Sequence, residues 1–424
     1  MQGAKRRVLA VVATVLLGMM GAAPVGADPP GSQVVVGQDT PAADVAAVQA
    51  AVSAGGRVVL VGTFDFGSAG SVIIGKDVRI SGRDGATIKG GATDFVSPLP
   101  APVGQPPAEP GPAITIENLT FDGATFAPVL IAYARSVDIH HNTIRNVVPR
   151  FNPAIQFSLQ NGILVTTQPQ TGPVVVPGAI TGRVRIHHNH LDMTSPDPAS
   201  TVGAGIRLVL AWGVDGEISH NTVSNFAGSG VEATDNARDN DGAGRIRVSH
   251  NHLRGSSAGA PYPVPYRPTG IVAGWFLLPA GAINPVRNPV YEISENDVDV
   301  AGRAPVAIFA NANGVVLEEN RVAVSTTGAR GIVLASANGL LEENEVTGQG
   351  QFGIQVAPFF PAFPAVVADG NTLLCNDLAG FHADVADLGL GGNNNTVIGT
   401  WASVLDTGTG NQLVPSAGCE CEEH

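Results

Sequence analysis

Four histidines occupy one position of a recurring phrase: His141, His188, His220 and His250 each immediately precede an asparagine. Glu295, Glu319 and Glu343 take the same position in later copies, His140 and His187 lie one residue earlier, and His190 and His252 follow the asparagine. If successive copies stack directly, their imidazoles stand about 5 Å apart, the spacing of neighbouring strands. Such a stripe can hold a transition metal or answer to pH. It is equally a turn position that takes solvated polar side chains with no further role. The interval of 47 residues between Asn142 and Asn189 leaves room for an extra coil, which would set His141 apart. That makes His188, His220 and His250 the group competent for metal, and no cofactor is otherwise expected.

A second constellation pairs Arg207, in Gly205-Ile-Arg-Leu208, with Glu232, in Gly230-Val-Glu-Ala233. Asp235, Asp239 and Asp241 follow, and Trp212 and Trp275 stand nearby. A guanidinium holds a uronate carboxylate through charge-assisted hydrogen bonds, and an indole face stacks on a sugar ring. Glu232 and Asp235 then form a candidate acid and base pair, with Trp212, Trp275, Asp239 and Asp241 as substrate-binding candidates. The plainer alternative is an exposed ion pair beside a solvated acidic loop, worth under about 1 kcal/mol.

The elements that position these residues follow from internal repetition. Val137-Asp-Ile-His-His-Asn142, Val184-Arg-Ile-His-His-Asn189 and Gly216-Glu-Ile-Ser-His-Asn221 are copies of one phrase. It recurs up to Asn251, Asn296, Asn320 and Asn344, with degenerate copies ending at Asn118 and Asn371. The spacing is 24 residues from Asn118 to Asn142, from Asn296 to Asn320 and from Asn320 to Asn344. The intervals of 47 and 45 residues before Asn189 and Asn296 are either one coil with long loops or two coils with one asparagine missing. A second phrase accompanies each copy, as in Gly162-Ile-Leu-Val165, Gly270-Ile-Val-Ala273 and Gly331-Ile-Val-Leu334. Its period of two marks strands. Short strands with no helix between them close in one sensible way: a solenoid of about ten coils, each stacked on the last as parallel sheets about 4.8 Å apart. At a tight turn the asparagine tolerates left-handed φ, and stacked amides bond along the axis so that no buried polar group is orphaned. Asn118, Asn142, Asn189, Asn221, Asn251, Asn296, Asn320, Asn344 and Asn371 are therefore read as structural.

The ends and the composition agree with this plan. Thr40-Pro41 reads as a helix start, and Val45, Val48 and Val52 share a face before Gly55-Gly56, giving a short capping helix over the exposed end. Strands follow at Arg57–Val61, Val72–Ile74 and Val78–Ile80, and the proline-rich stretch 98–112 is a loop. Residues 1–27 have the form of a secretory signal: Lys5, Arg6 and Arg7, then an apolar run of 13 residues, then Val25-Gly26-Ala27. The expected division is 1–27 signal, 28–56 N-terminal segment, 57–400 coils and 401–424 tail. Removing the signal takes away three of the 23 basic residues and none of the 36 acidic ones, leaving a net charge of −16. That field opposes nucleic acid and anionic membranes as partners. No second run is long enough to span a bilayer, so a secreted or cell-surface monomer is expected. Cys375, Cys419 and Cys421 allow one disulfide, from Cys375 to Cys419 or Cys421, pinning the tail.

The repeat phrase, the segment DVAAVQAAVSAGGRVVLVGTF from Asp44 to Phe64, and DVRISGRDGATIKGG from Asp77 to Gly91 resemble pectate-lyase-like, right-handed parallel β-helix proteins. The resemblance extends over residues 33–400 and implies an all-β, right-handed parallel β-helix. It also implies that the Gly-Ile-x-Val strands form the first sheet, with the asparagine turn after the second strand and substrate grooves along the first sheet. The long insertions at 148–160, 166–181, 192–204, 236–244, 254–269 and 275–288 would wall such a groove. Alternation places Leu164, Arg207, Glu232, Val272, Ala307, Val333 and Gln355 outward on that sheet. The family includes lyases, hydrolases, epimerases and members without known chemistry, and its catalytic signatures are sparse here. Beyond the signal the only lysines are Lys76 and Lys89, and Thr234-Asp235 and Arg245-Ile246-Arg247 only echo the hydrolase pattern. Two functions stay open: an exported protein that binds glycans or partners along its length, and an enzyme acting on an acidic polysaccharide in the first-sheet groove.

Overall fold

In a computed structural model the chain is a right-handed parallel β-helix closed at its N-terminal end by one α-helix. The structure describes residues 31–67, 70–100, 105–153, 156–167, 176, 178–210, 214–235, 244–256, 269–274, 290–301, 306–357, 368–381, 386–416 and 419. The expected signal segment, Trp212, Trp275, Asp239, Asp241 and Cys421 lie outside them.

Each coil contributes three short strands. The Gly-Ile-x-Val strands form a separate sheet of twelve strands, running from Val72–Ile73 through Ala204–Leu210 and Ser229–Asp235 to Val404–Asp406. We call this the first sheet. The strands before the asparagine turn, such as Ser136–His140 and Val184–His187, form the second; those after it, such as Thr143–Arg145 and His190–Asp192, form the third. Strand pairing between coils is parallel in all three sheets. Every second side chain points inward, and the register builds continuous aliphatic columns. Ile116, Ile139, Ile186, Ile218, Val248 and Ile293 stack one above another, all buried. β-Branched side chains suit such a column because one χ1 rotamer serves both strand and packing. Each contributes about 1.5–3 kcal/mol by leaving water.

The asparagine ladder is present, with a different membership. Asn142 donates from Nδ2 and from its backbone N–H to Asn189 Oδ1, both at 3.0 Å, and Asn189 repeats this toward Asn221. The chain of bonds continues through Asn251, Asn296, Asn320 and Asn344 to Asn376. Asn142 and Asn189 bond directly, as do Asn251 and Asn296, so each long interval is one coil with long loops. Asn118 is not a member: it is exposed, and Leu119 stands where the ladder residue should. The Leu119 N–H nevertheless reaches Asn142 Oδ1, at 3.1 Å. Asn371 begins a second, shorter ladder at another turn, with Asn395 and Asn411. The left-handed backbone also belongs elsewhere than expected. It falls on the residue before the asparagine, with φ of 55° at His141, 55° at His188, 56° at His220 and 55° at His250. That residue projects outward, while the asparagine folds into the turn and spends its amide on buried carbonyls such as Ile116 O and Ile139 O.

The ends are sealed differently. The helix Pro41–Ala54 buries Val48, Ala51 and Val52 against the first coils. Thr40 stands at its N-cap position, but its side chain makes no cap. Asp44, 1% exposed, accepts instead from the backbone N–H groups of Gln38, Thr40 and Asp65 at 2.8, 2.9 and 2.9 Å. At the other end the stacked strands continue through Gln412–Pro415, into the stretch expected to be tail. A Cys375–Cys419 disulfide, with Cα atoms 5.1 Å apart, ties the terminal segment to them.

Candidate functional site

Strands Ala204–Leu210 and Ser229–Asp235 are neighbours in the first sheet, and their register sets Arg207 opposite Glu232. Arg207 donates from Nε to Glu232 Oε1 at 3.0 Å. The outward row that contains them reads Leu130, Leu164, Arg207, Glu232, Val272, Phe309, Val333, Gln355. Phe309 takes the place expected for Ala307. Strand Val306–Ala310 pairs Val272 with Phe309, and Ala307 turns into the core. The phrase Pro305-Val-Ala-Ile308 lacks the glycine that marks the register in its siblings, which is why alternation counted from it slipped by two residues.

This row was expected to line an open groove, but most of it is buried. Leu164, Val272, Phe309 and Val333 lie in two apolar clusters outside the helix core, with Phe126, Leu130 and Ala132 joining Leu164. Part of the cover comes from the loops themselves. Residues Arg150–Asn152, Phe157–Leu159 and Thr201–Val202 form a small side sheet, and Leu159 packs on the Leu130–Leu164 cluster. Glu232 is 5% exposed within this face. Taking the Glu232 carboxylate out of water is costly even beside Arg207, whose side chain stays 24% exposed, and a matched apolar pair can serve stability as well. Two residues further along the same strand face, Thr234 holds a buried hydroxyl with no hydrogen-bond partner among the described residues. An Arg–Glu pair and a buried hydroxyl thus interrupt an otherwise apolar row. Asp235 ends that strand, paired in register with Leu210.

The histidines form two columns beside the asparagine turn. His141 stacks on His188 with ring centroids 5.0 Å apart, His188 on His220 at 4.8 Å, and His220 on His250 at 4.7 Å. His141 thus belongs to the stack, contrary to expectation, because no extra coil separates it. The second column sets His140 on His187 at 4.9 Å. Burial lowers His188 below the usual imidazole value, aided by the neighbouring His220, His187 and His141. Burial also lowers His140, against the pull of Asp138 and Glu117. Below these rings lies a lattice of ion pairs on the second sheet: Arg79 with Glu117, Arg185 with Asp138, Arg183 with Glu217, and Arg245 and Arg247 with Glu292. Among the described residues the side chains that converge with metal-ligand spacing are Asp138, His140 and His187, whose ligand atoms lie within 4.8 Å of one another. His188, His220 and His250 form no such group. A search for ladder phrases alone missed Asp138, because its role appears only when the next coil is laid above it.

No family model and no curated protein matches the chain. Several solved structures do. The A-module of the Azotobacter vinelandii mannuronan C-5 epimerase AlgE4 is 13% identical over 83% of this chain and 95% of its own, with a TM-score of 0.45. The Agl-KA catalytic domain is 13% identical over 92% of this chain and 69% of its own, with a TM-score of 0.47. A mannuronic acid specific polysaccharide family 6 lyase from human gut microbiota is 12% identical over 91% of this chain and 82% of its own, with a TM-score of 0.36. At such identities the likeness concerns the fold and carries nothing about activity. In fold, the chain is a right-handed parallel β-helix.

Proposed function

We propose that this protein is exported and acts on an acidic polysaccharide across the outer face of its first sheet. Arg207 holds the carboxylate of a sugar unit, and Glu232 takes or gives a proton. The observation that carries this reading is the Arg207–Glu232 pair, 3.0 Å apart and set between Leu164 and Val272 in a row that is otherwise mostly apolar. Charged groups held in a desolvated setting are candidates for a functional site.

A polymer held without reaction is the second reading. It is favoured by the fact that Arg207 and Glu232 already satisfy each other across the sheet. The test is a screen of the purified protein against uronic-acid and neutral polysaccharides. It would follow ultraviolet absorbance of unsaturated products, reducing ends and sugar epimerisation. Turnover of a uronic-acid polymer supports the enzyme, binding without turnover supports the second reading, and neither binding nor turnover removes both.

A further inference from the structure

We propose that Asp138, His140 and His187, with Glu117 beside them, form a divalent transition-metal site on the outer face of the second sheet. The site is separate from the Arg207–Glu232 face and does not depend on what that face does. Asp138 and His140 lie two residues apart on strand Ser136–His140 and so share a face. The next coil places His187 directly opposite His140. The previous coil places Glu117 opposite it on the other side. One strand and its two neighbours thus supply two imidazoles and two carboxylates to one patch.

The distances fit a single ion. His187 Nε2 lies 3.0 Å from Asp138 Oδ1, and His140 Nε2 lies 3.2 Å from Glu117 Oε2. Two ligands each about 2.0–2.1 Å from zinc stand roughly 3 Å apart when adjacent in its coordination shell. The remaining separations among Asp138, His140 and His187, all within 4.8 Å, close with ring and carboxylate rotations of about an ångström, and Glu117 approaches through His140. The nitrogen and oxygen set suits zinc and its neighbours, not calcium or magnesium.

The surroundings orient the ligands. His140 Nδ1 faces His141 Nδ1 at 2.9 Å, and His187 Nδ1 faces His188 Nδ1 at 3.0 Å. Each contact needs one shared proton. If His140 and His187 donate it, their Nε2 lone pairs point at carboxylates, an arrangement that calls for a cation between them. Second partners of this kind fix the tautomer and direction of ligating imidazoles. Arg79 holds Glu117 through two bonds, at 2.7 and 2.9 Å, and Arg185 holds Asp138.

The alternative is that Nε2 carries the proton and bonds the carboxylate directly, with no metal. Calorimetric titration with Zn²⁺ of protein stripped by a chelator separates the two. The wild type and His220→Ala should each bind one ion per chain. His187→Ala and the near-isosteric Asp138→Asn should each weaken binding about tenfold or more while keeping wild-type circular dichroism. X-ray absorption of the loaded protein should show nitrogen and oxygen ligands. No binding by the wild type overturns the proposal, as does equal affinity in His187→Ala and Asp138→Asn. Loss in His220→Ala alone also overturns it, by placing the ion on the stacked column.

Discussion

At the scale of the residue, the asparagine is the unit that makes one coil fit the next. Asn320 donates from Nδ2 to Ile293 O at 2.8 Å and to Asn344 Oδ1 at 2.9 Å, and accepts from Asn296 Nδ2 at 2.9 Å. Truncation takes the donor from Ile293 O and the acceptor from the buried Asn296 backbone N–H. Asn320→Ala should therefore lose about 1–3 kcal/mol. Chemical denaturation checks this, and unchanged stability would take Asn320 out of the ladder. The ladder was legible because Asn is a distinctive side chain at a regular interval. Its two errors came from counting residue type instead of register. Asn118 sits one residue early, and Asn371 belongs to a different turn, while Asn376, which continues the column, follows Cys375 in a phrase with no likeness to the others. The Asp138–His140–His187 cluster was illegible for a related reason: ligands from successive coils share no sequence spacing.

At the scale of the element, stacking turns a repeated residue into a column, and columns of one charge have a cost. Both His140 and His188 are held below the ordinary imidazole value of 6.5, first by burial. The sign follows directly. Around and below that value the unfolded chain binds more protons than the folded one, so stability rises with pH through this window and falls on acidification. The melting temperature, measured in chelator, should be lower at about pH 5.5 than at about pH 7.5. His188→Asn should shrink the difference, since asparagine also accepts the left-handed backbone of that turn. An equal difference in the variant would detach the effect from the stack. Further along the second sheet, Glu318 is held above the usual carboxylate range by burial and by Glu342, Glu292, Glu319 and Glu343. The first-sheet phrases were legible wherever a glycine marks their start. The slip at Ala307 and the burial of the row were not, since loops that fold back over a sheet leave no period in the sequence.

At the scale of the whole molecule, a parallel β-helix grows without splitting into domains but must protect its ends. The first strand, Gln33–Val36, pairs onto Gly56–Gly67 and leaves Val34 and Val36 exposed at 43% and 61%. The helix Pro41–Ala54 closes the adjoining end, and Asp44 ties it to the loop before it and to the strand after it. Asp44→Ala should orphan three N–H groups, loosen this cap and promote association through the uncovered end. Light scattering after size exclusion should show larger species than for the wild type, and a monodisperse variant with wild-type melting would exclude that role. The helix was legible from its valine face and proline start, although its cap lies four residues beyond the threonine that signalled it.

The central functional claim is that Arg207 and Glu232 are kept for what they do to a ligand and not for stability. The most direct test replaces both with apolar residues like their neighbours in the row, Arg207→Leu together with Glu232→Val, and measures melting temperature and polysaccharide conversion on the same preparation. Glu232 is buried and Arg207 half-buried, and replacing such a pair by matched apolar side chains is expected to be neutral or stabilising. Melting equal to or above the wild type is expected, with conversion of the uronic-acid polymer lost. Conversion that survives in the double variant, or melting that falls by several degrees, would contradict it.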